Sequence, residues 1–337
     1  QLVKWFVILI SLCEFLFFFL LRSGNMDVSL YIVFSSFIGI SFMLFCTAIQ
    51  TCALPISLNK IPFDKSRRLM LKTLLDVTML ILAFSYMLRG FFNGFKDPVI
   101  KEQTIKINNL KKDFNIVQIS DVHIGKSLGK EFLDLIVQKI NTLEADIVVI
   151  TGDLVDLHVS EIGDKLDSLK DIKSKFGVYF VSGNHEYFHG VEQICEHLKS
   201  LHVKVLENEN LVIDDALNLV GITDLMGRRM NLLKPDLHKA MVGVDEKLPT
   251  VLLAHQPKFT KELNNEKIDL ILSGHTHGGQ IFPFGLLVLL DQPYLSGLYQ
   301  HSKKIQIFVS SGTGYWGPPI RVLATSEIVN IRLTPSS

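Results

Sequence analysis

This 337-residue sequence predicts an α/β domain preceded by membrane-spanning helices, and three observations predict it. Roughly the first 95 residues are rich in Phe, Leu and Ile. Beyond about residue 104, short apolar runs alternate with amphipathic stretches, the pattern of strands interleaved with helices. Asp, Asn and His then cluster directly after several of the apolar runs. The length alone suggests about two domains, and a segment of about 240 residues is ample for one large core.

Leu2–Leu21 is apolar apart from Lys4 and Glu14. It is long for a signal peptide and is followed by Arg22-Ser-Gly-Asn-Met, which offers no small-residue cleavage pattern. Residues 28–59 contain no charge at all, more than the ~20 apolar residues a span requires. Residues 69–92 carry Lys72 and Asp76 and then run cleanly from Val77 to Leu88. Three spans are therefore expected, at about 2–21, 29–54 and 69–92, within a region 1–95. Residues 96–112 are expected to be a linker and edge strand, and 113–337 the folded domain. Lys60, Lys65, Arg67 and Arg68 against Asp64 predict a cytoplasmic loop before the third span. The folded domain of this multi-pass cell-membrane chain is then extracytoplasmic. If the third segment is an interfacial helix, the domain lies in the cytoplasm instead. Glu14 sits mid-segment, where an ionisable group needs a partner.

Composition narrows the partners. Lys plus Arg and Asp plus Glu number 34 each, and no basic stripe accompanies the polar clusters, so nucleic acid is not expected. Cys13, Cys46 and Cys52 lie in the apolar part and Cys195 stands alone in the folded part. The folded part therefore has no internal disulfide and no Cys-x-x-Cys metal spacing.

In the folded part, Phe114–Ser120 alternates as a strand and Lys130–Asn141 has helical apolar spacing. Asp146–Thr151 and Gly177–Val181 read as strands, with Leu166–Lys175 and Val191–Leu201 as helices. Two or three short strands precede Gly221. Thr250–Ala254 and Ile268–Ser273 are strands around a short helix at Pro257–Leu263, and Ile305–Ser310 and Glu327–Leu333 complete the pattern.

Each polar cluster follows one of these strands. Asp121 and His123 follow the first, Asp153 the next, Asn184 and His185 the third, then His255, then His275 and His277. In open α/β sheets sites form beyond the carboxyl ends of strands. Carboxylate, amide oxygen and imidazole without thiolate suit Mn, Fe, Zn or Co, and seven such groups fit two divalent ions sharing a bridge better than one.

The set Asp121-x-His123, Gly152-Asp153, Gly183-Asn184-His185-Glu186, His255 and Gly274-His275-x-His277 resembles the calcineurin-like metallophosphoesterases across about 110–335. The resemblance implies a four-layer αββα sandwich. It also implies one metal on Asp121, His123, Asp153 and His277 and a second on Asp153, Asn184, His255 and His275. Two ions roughly 3.5–4 Å apart would acidify a bridging water and stabilise charge in an in-line displacement. His185 would then protonate the leaving oxygen, with Glu186 fixing its tautomer. Glu186 stands where many members have Asp. Asp156 is expected to orient a ligand or the loop.

Of the other histidines, only His158 and His189 lie close enough after these loops to touch a substrate. Arg228 and Arg229 are read either as phosphate-binding or as exposed. Ile281–Leu290 is read first as a core hairpin, and alternatively as an apolar lip that favours a lipid phosphodiester or pyrophosphate. The expected activity is phosphoester hydrolysis with a bilayer as partner; a binding protein that keeps the metals without turnover is the other reading.

Overall fold

The computed structural model describes all residues except 1, 24–26, 59–63, 265 and 337. Lys60 and part of the first predicted loop therefore lie outside the described residues. The chain forms two compact units: Gln1–Lys96 with Gly317–Val322, and Asp97–Trp316 with Leu323–Ser337.

The first unit is built from three helices, α1 (Leu2–Ser23), α2 (Val28–Leu58) and α3 (Lys65–Gly94). Asp64 caps α3 by accepting from the amide of Arg67 at 2.8 Å, which occupies one of the free donors of the first turn. Among the described residues, two helices are long and apolar enough to cross a membrane, over Val28–Phe45 and Lys65–Gly94. Within α1, Ile8–Phe17 is an apolar run among the described residues. Two of the three helices meet that test over their described residues.

Among the described residues the second unit has twelve strands. They are β1 (Val99–Ile107), β2 (Phe114–Ile119), β3 (Ile147–Thr151), β4 (Val178–Val181), β5 (Val203–Val205) and β6 (Glu209–Ile213), followed by β7 (Leu217–Gly221), β8 (Thr250–Leu253), β9 (Leu270–Ser273), β10 (Gly297–Gln300), β11 (Gln306–Val309) and β12 (Glu327–Pro335). One sheet has the order β1-β12-β2-β3-β4-β5 and the other β10-β11-β9-β8-β7-β6. Within them β2, β3, β4 and β5 run parallel, as do β7, β8, β9 and β11. Their carboxyl ends are therefore brought to common edges.

Residue alternation explains the layering. Ile147 and Val149 of β3 face one way, into a core shared with Leu217 and Leu219 of β7, Val251 and Leu253 of β8, and Leu270 and Leu272 of β9. Val148 and Ile150 face the other way, onto Leu133, Ile136 and Ile140 of helix Lys130–Ile140 and Ile194 and Leu198 of helix Val191–Ser200. On the far sheet Leu252, Ile271 and Ile307 pack with Ala240 and Phe259. Period-two burial on both faces is what strands covered on both sides require.

Two expectations change. Of the predicted helix Leu166–Lys175, only Leu166–Asp171 is helical, as part of a 3₁₀ run, Gly163–Asp171, in which Leu166 and Leu169, three residues apart, point the same way into the core. Ile281–Leu290 forms no core hairpin: it holds a short helix, Gly285–Val288, and Leu290 is 83% exposed. Leu219 lies fully buried between the sheets. Leu219→Ala is expected to cost about 2–5 kcal/mol, read as a lowered denaturant midpoint.

Candidate metal centre

Each predicted ligand stands just past a strand end: Asp121 after β2, Asp153 after β3, Asn184 after β4, His255 after β8 and His275 after β9. The loops are tied to one another by backbone hydrogen bonds. Asp121 donates its amide to the Gly152 carbonyl at 3.0 Å, His123 to Asp153 at 3.1 Å and Gly274 to His255 at 2.9 Å. The Gln118 amide bridges the two sheets, donating to Thr151 Oγ1 at 2.9 Å and to the Ser273 carbonyl at 3.0 Å. At Gly183 and Gly274 any Cβ would collide with the Asp153 and Asp121 carboxylates respectively, so these glycines are sites of close approach.

The ligand residues themselves are strained. Asp121, His123, Asp153, His275 and His277 have φ of 53°, 53°, 50°, 70° and 50°, in the left-handed region that costs a non-glycine residue on the order of 1–3 kcal/mol. Such turns re-aim side chains from successive strands at one point.

Two groups result. Asp121, His123 and His277 each offer one atom, all within 4.8 Å of one another, and Asp153, His255 and His275 do the same. His123 Nε2 is 3.0 Å from His277 Nε2, and His275 Nδ1 is 3.2 Å from His255 Nε2. His255 Nε2 also lies 3.2 Å from Asp153 Oδ2 and 3.3 Å from Asn184 Oδ1. Nearly all of this is buried. Imidazole nitrogens facing each other beside carboxylate oxygens present lone pairs to one another, which a cation between them reconciles. The nitrogen and oxygen donor set fits borderline divalent ions.

The outer contacts select the tautomers. His255 donates from Nδ1 to the Thr151 carbonyl at 2.7 Å, and His123 donates from Nδ1 to Asp156 at 2.7 Å. Both rings are left with Nε2 turned to the cluster, the usual support for a metal-binding imidazole. Burial acts to raise the Asp153 carboxyl, but His255 and His185 hold it well below the usual range. Burial pushes Asp121 up. Burial and the neighbouring His255 push His275 down to about 3. Burial acts to lower His255, and Asp153 holds it well above its ordinary value.

Asp156 and Glu186 divide the outer roles differently from expectation. Glu186 is fully buried and accepts from four backbone amides. These are Gly183 at 2.6 Å, Leu154 at 2.7 Å, Asp153 at 3.0 Å and Val155 at 3.3 Å. It stands third in helix Asn184–Phe188 and reaches back to the residue before it, as a capping box does. Its carboxylate thus holds two loops together. Asp156 takes the place expected for it beside His185, its Oδ1 lying 2.7 Å from His185 Nδ1. Burial acts to lower His185, and Asp153 with Asp156 raises it to about 9.

Aromatic rings beside His185 escaped the sequence reading. Trp316 and Phe188 lie 6.1 and 5.9 Å from its ring, centroid to centroid, and each is about half exposed. Trp316 follows β11 as the ligands follow their strands, the signal that would have found it. Phe188 is one helical turn past His185. His189 lies 6.4 Å from His185 and 5.6 Å from His158. The Arg228 guanidinium is taken by Glu262, with both nitrogens at 2.5 Å. Removing the Glu186 carboxylate strands buried amides, so Glu186→Ala is expected to cost about 3 kcal/mol or more, seen as a fall in melting temperature.

The family described as calcineurin-like phosphoesterase matches over residues 114–279, which contain every residue of the two groups. A Helicobacter pylori protein described as an uncharacterized metallophosphoesterase is 42% identical, over 99% of this chain and 90% of its own length. A Campylobacter jejuni protein of the same description is 40% identical over 80% of this chain and 72% of its own. A Bos taurus protein described as a transmembrane protein with metallophosphoesterase domain is 37% identical over 80% of this chain and 64% of its own. With this likeness and this set of buried ligand groups, the chain belongs to the calcineurin-like metallophosphoesterase family and is a metal-dependent phosphoesterase.

Proposed function

We propose that this is a membrane-anchored phosphoesterase with two divalent ions that hydrolyses a phosphodiester or pyrophosphate, with a lipid-borne ester as the narrower substrate. The observation that carries this is the convergence of Asp121, His123 and His277, and of Asp153, His255 and His275, each to within 4.8 Å. Asp121, His123, Asp153 and His277 would hold one ion, and Asp153, Asn184, His255 and His275 the other. Mn, Fe, Zn or Co suits these donors, and Mn is the first to test. When bound, the ions supply Lewis acidity towards phosphoryl oxygens and acidify a water.

The protein's own groups do the rest. Asp156 keeps the His185 imidazole charged and aimed, so His185 holds the proton that the leaving oxygen needs. Glu186 keeps Asp153 and His185 in fixed relation by gripping the loops that carry them. Anchoring is assigned to α2 and α3, with α1 as a third span. The folded domain is assigned to the extracytoplasmic side by the basic residues at the start of α3, and protease access in sealed vesicles tests that side.

Full-length protein loaded with Mn is expected to cleave bis-p-nitrophenyl phosphate. His185→Ala should lower kcat by on the order of 10²–10⁴-fold while two ions stay bound, and Asp153→Asn should lose both bound metal and turnover. Loaded protein that cleaves nothing across a broad phosphoester panel would leave a binding protein in its place. Stripping the ions with a chelator should lower the melting temperature, since a ligand at 100 times its Kd contributes about 2.7 kcal/mol.

A further inference from the structure

Just past the last histidine pair, the chain exposes what water should drive inward. Phe282, Phe284, Leu286, Leu287, Leu289 and Leu290 are between 41% and 83% exposed, an uninterrupted apolar surface of the kind that marks an interaction site. It is rooted in the metal loop. Gly279, two residues after His277, has a φ of 78° and sits so close to Gly285 that a Cβ would come within 2.5 Å of its Cα. The short helix therefore packs backbone to backbone on the loop that carries His277. At its base Lys258 pairs with Asp291 and Lys261 Nζ lies 3.5 Å from the Asp291 carbonyl. An apolar tip on a polar, partly cationic root is the profile of an interfacial element.

Trp316 extends this surface to the catalytic histidine. The Gln280 amide donates to the Trp316 carbonyl at 2.8 Å and accepts from the Trp316 amide at 3.0 Å. The indole, 51% exposed, then stands 6.1 Å from the His185 ring. Tryptophan favours the membrane–water boundary because its ring is apolar and its N–H polar.

We infer that Phe282–Leu290 and Trp316 form a lip that enters the surface of a lipid bilayer beside the metal centre, and that the site takes its phosphoester from a lipid headgroup there. This rests on the phosphoesterase reading above. The bilayer is the occupant because the same chain carries two helices long and apolar enough to cross one. The chain passes from α3, ending at Gly94, to β1, starting at Val99, through a short tether, which keeps such a surface at high effective concentration. The lip itself is too short to cross, so it can only dip in.

Trp5 and Trp316 are the two tryptophans of the chain, so Trp5→Phe leaves Trp316 as the only reporter. In the full chain reconstituted into phosphatidylcholine–phosphatidylglycerol vesicles, lipids brominated near the headgroup should quench Trp316. The exposed pair Leu286→Ser and Leu290→Ser should relieve that quenching. An unquenched Trp316 overturns the lip, whether cross-linking then finds it against a second copy or it stays in water. Kinetics give the second arm. The serine pair should slow cleavage of p-nitrophenyl hexadecyl phosphate in vesicles by about tenfold or more, with bis-p-nitrophenyl phosphate turnover within about twofold of wild type. Equal effects on both esters, or none on either, overturn the lipid assignment. If wild-type protein cleaves neither ester, the phosphoesterase reading itself has failed, and the quenching still decides the lip.

Discussion

Four imidazoles and two carboxylates converge in a space nearly closed to water, and the rest of the folded unit is organised around keeping them there. Without a cation such a cluster is electrostatically awkward. His123 and His277 meet nitrogen to nitrogen at 3.0 Å, and the Asp121 carboxyl is pushed up while His255 is held well above its ordinary range. Charges buried without partners cost several kcal/mol each. A divalent ion removes that cost and makes the cluster favourable, so metal binding and the stability of these loops are one free energy.

Holding the cluster demands backbone that L-residues resist. Five ligand residues lie at positive φ, and the strain is tolerated because both ends of each turn are fixed. The preceding strand, β2, β3 or β9, is almost wholly buried and pairs in parallel with a neighbour, and the following chain is caught by hydrogen bonds. Glu186 is the main catch, since one carboxylate takes amides from Gly183, Asp153, Leu154 and Val155. Asp156 is the other, lying 2.7 Å from Nδ1 of both His123 and His185. The longer Glu at 186 reaches back across its own helical turn, which explains why it serves the backbone and leaves His185 to Asp156.

The two apolar features of the chain are of different kinds. The inter-sheet core buries its side chains almost completely, whereas α3 exposes Leu69, Met70, Leu80, Ile81, Leu82 and Phe84 at 57–67%. The segment at 282–290 joins the second kind despite belonging to the folded unit. Its backbone approaches the metal loop at Gly279 and Gly285, and the side chains at 282, 284, 286, 287, 289 and 290 stand exposed.

Much of this was legible in the residues alone. Alternation at 114–119 and short continuous apolar runs at 147–151, 250–253 and 270–273 locate strands, and a polar residue just past an apolar strand marks the edge where a site forms. The candidate ligands were marked by the same position past the strands, and their sharing between two ions was implied by the family resemblance. What needed the tertiary structure was every choice between partners distant in sequence. Whether Glu186 or Asp156 serves His185 depends on which loop lies across from it, and Trp316 stands beside His185 only because β11 lies beside β9. The run at 281–290 reads first as core, since composition records only how apolar a segment is. Which neighbours remain to cover it is decided only by the packing of the whole chain.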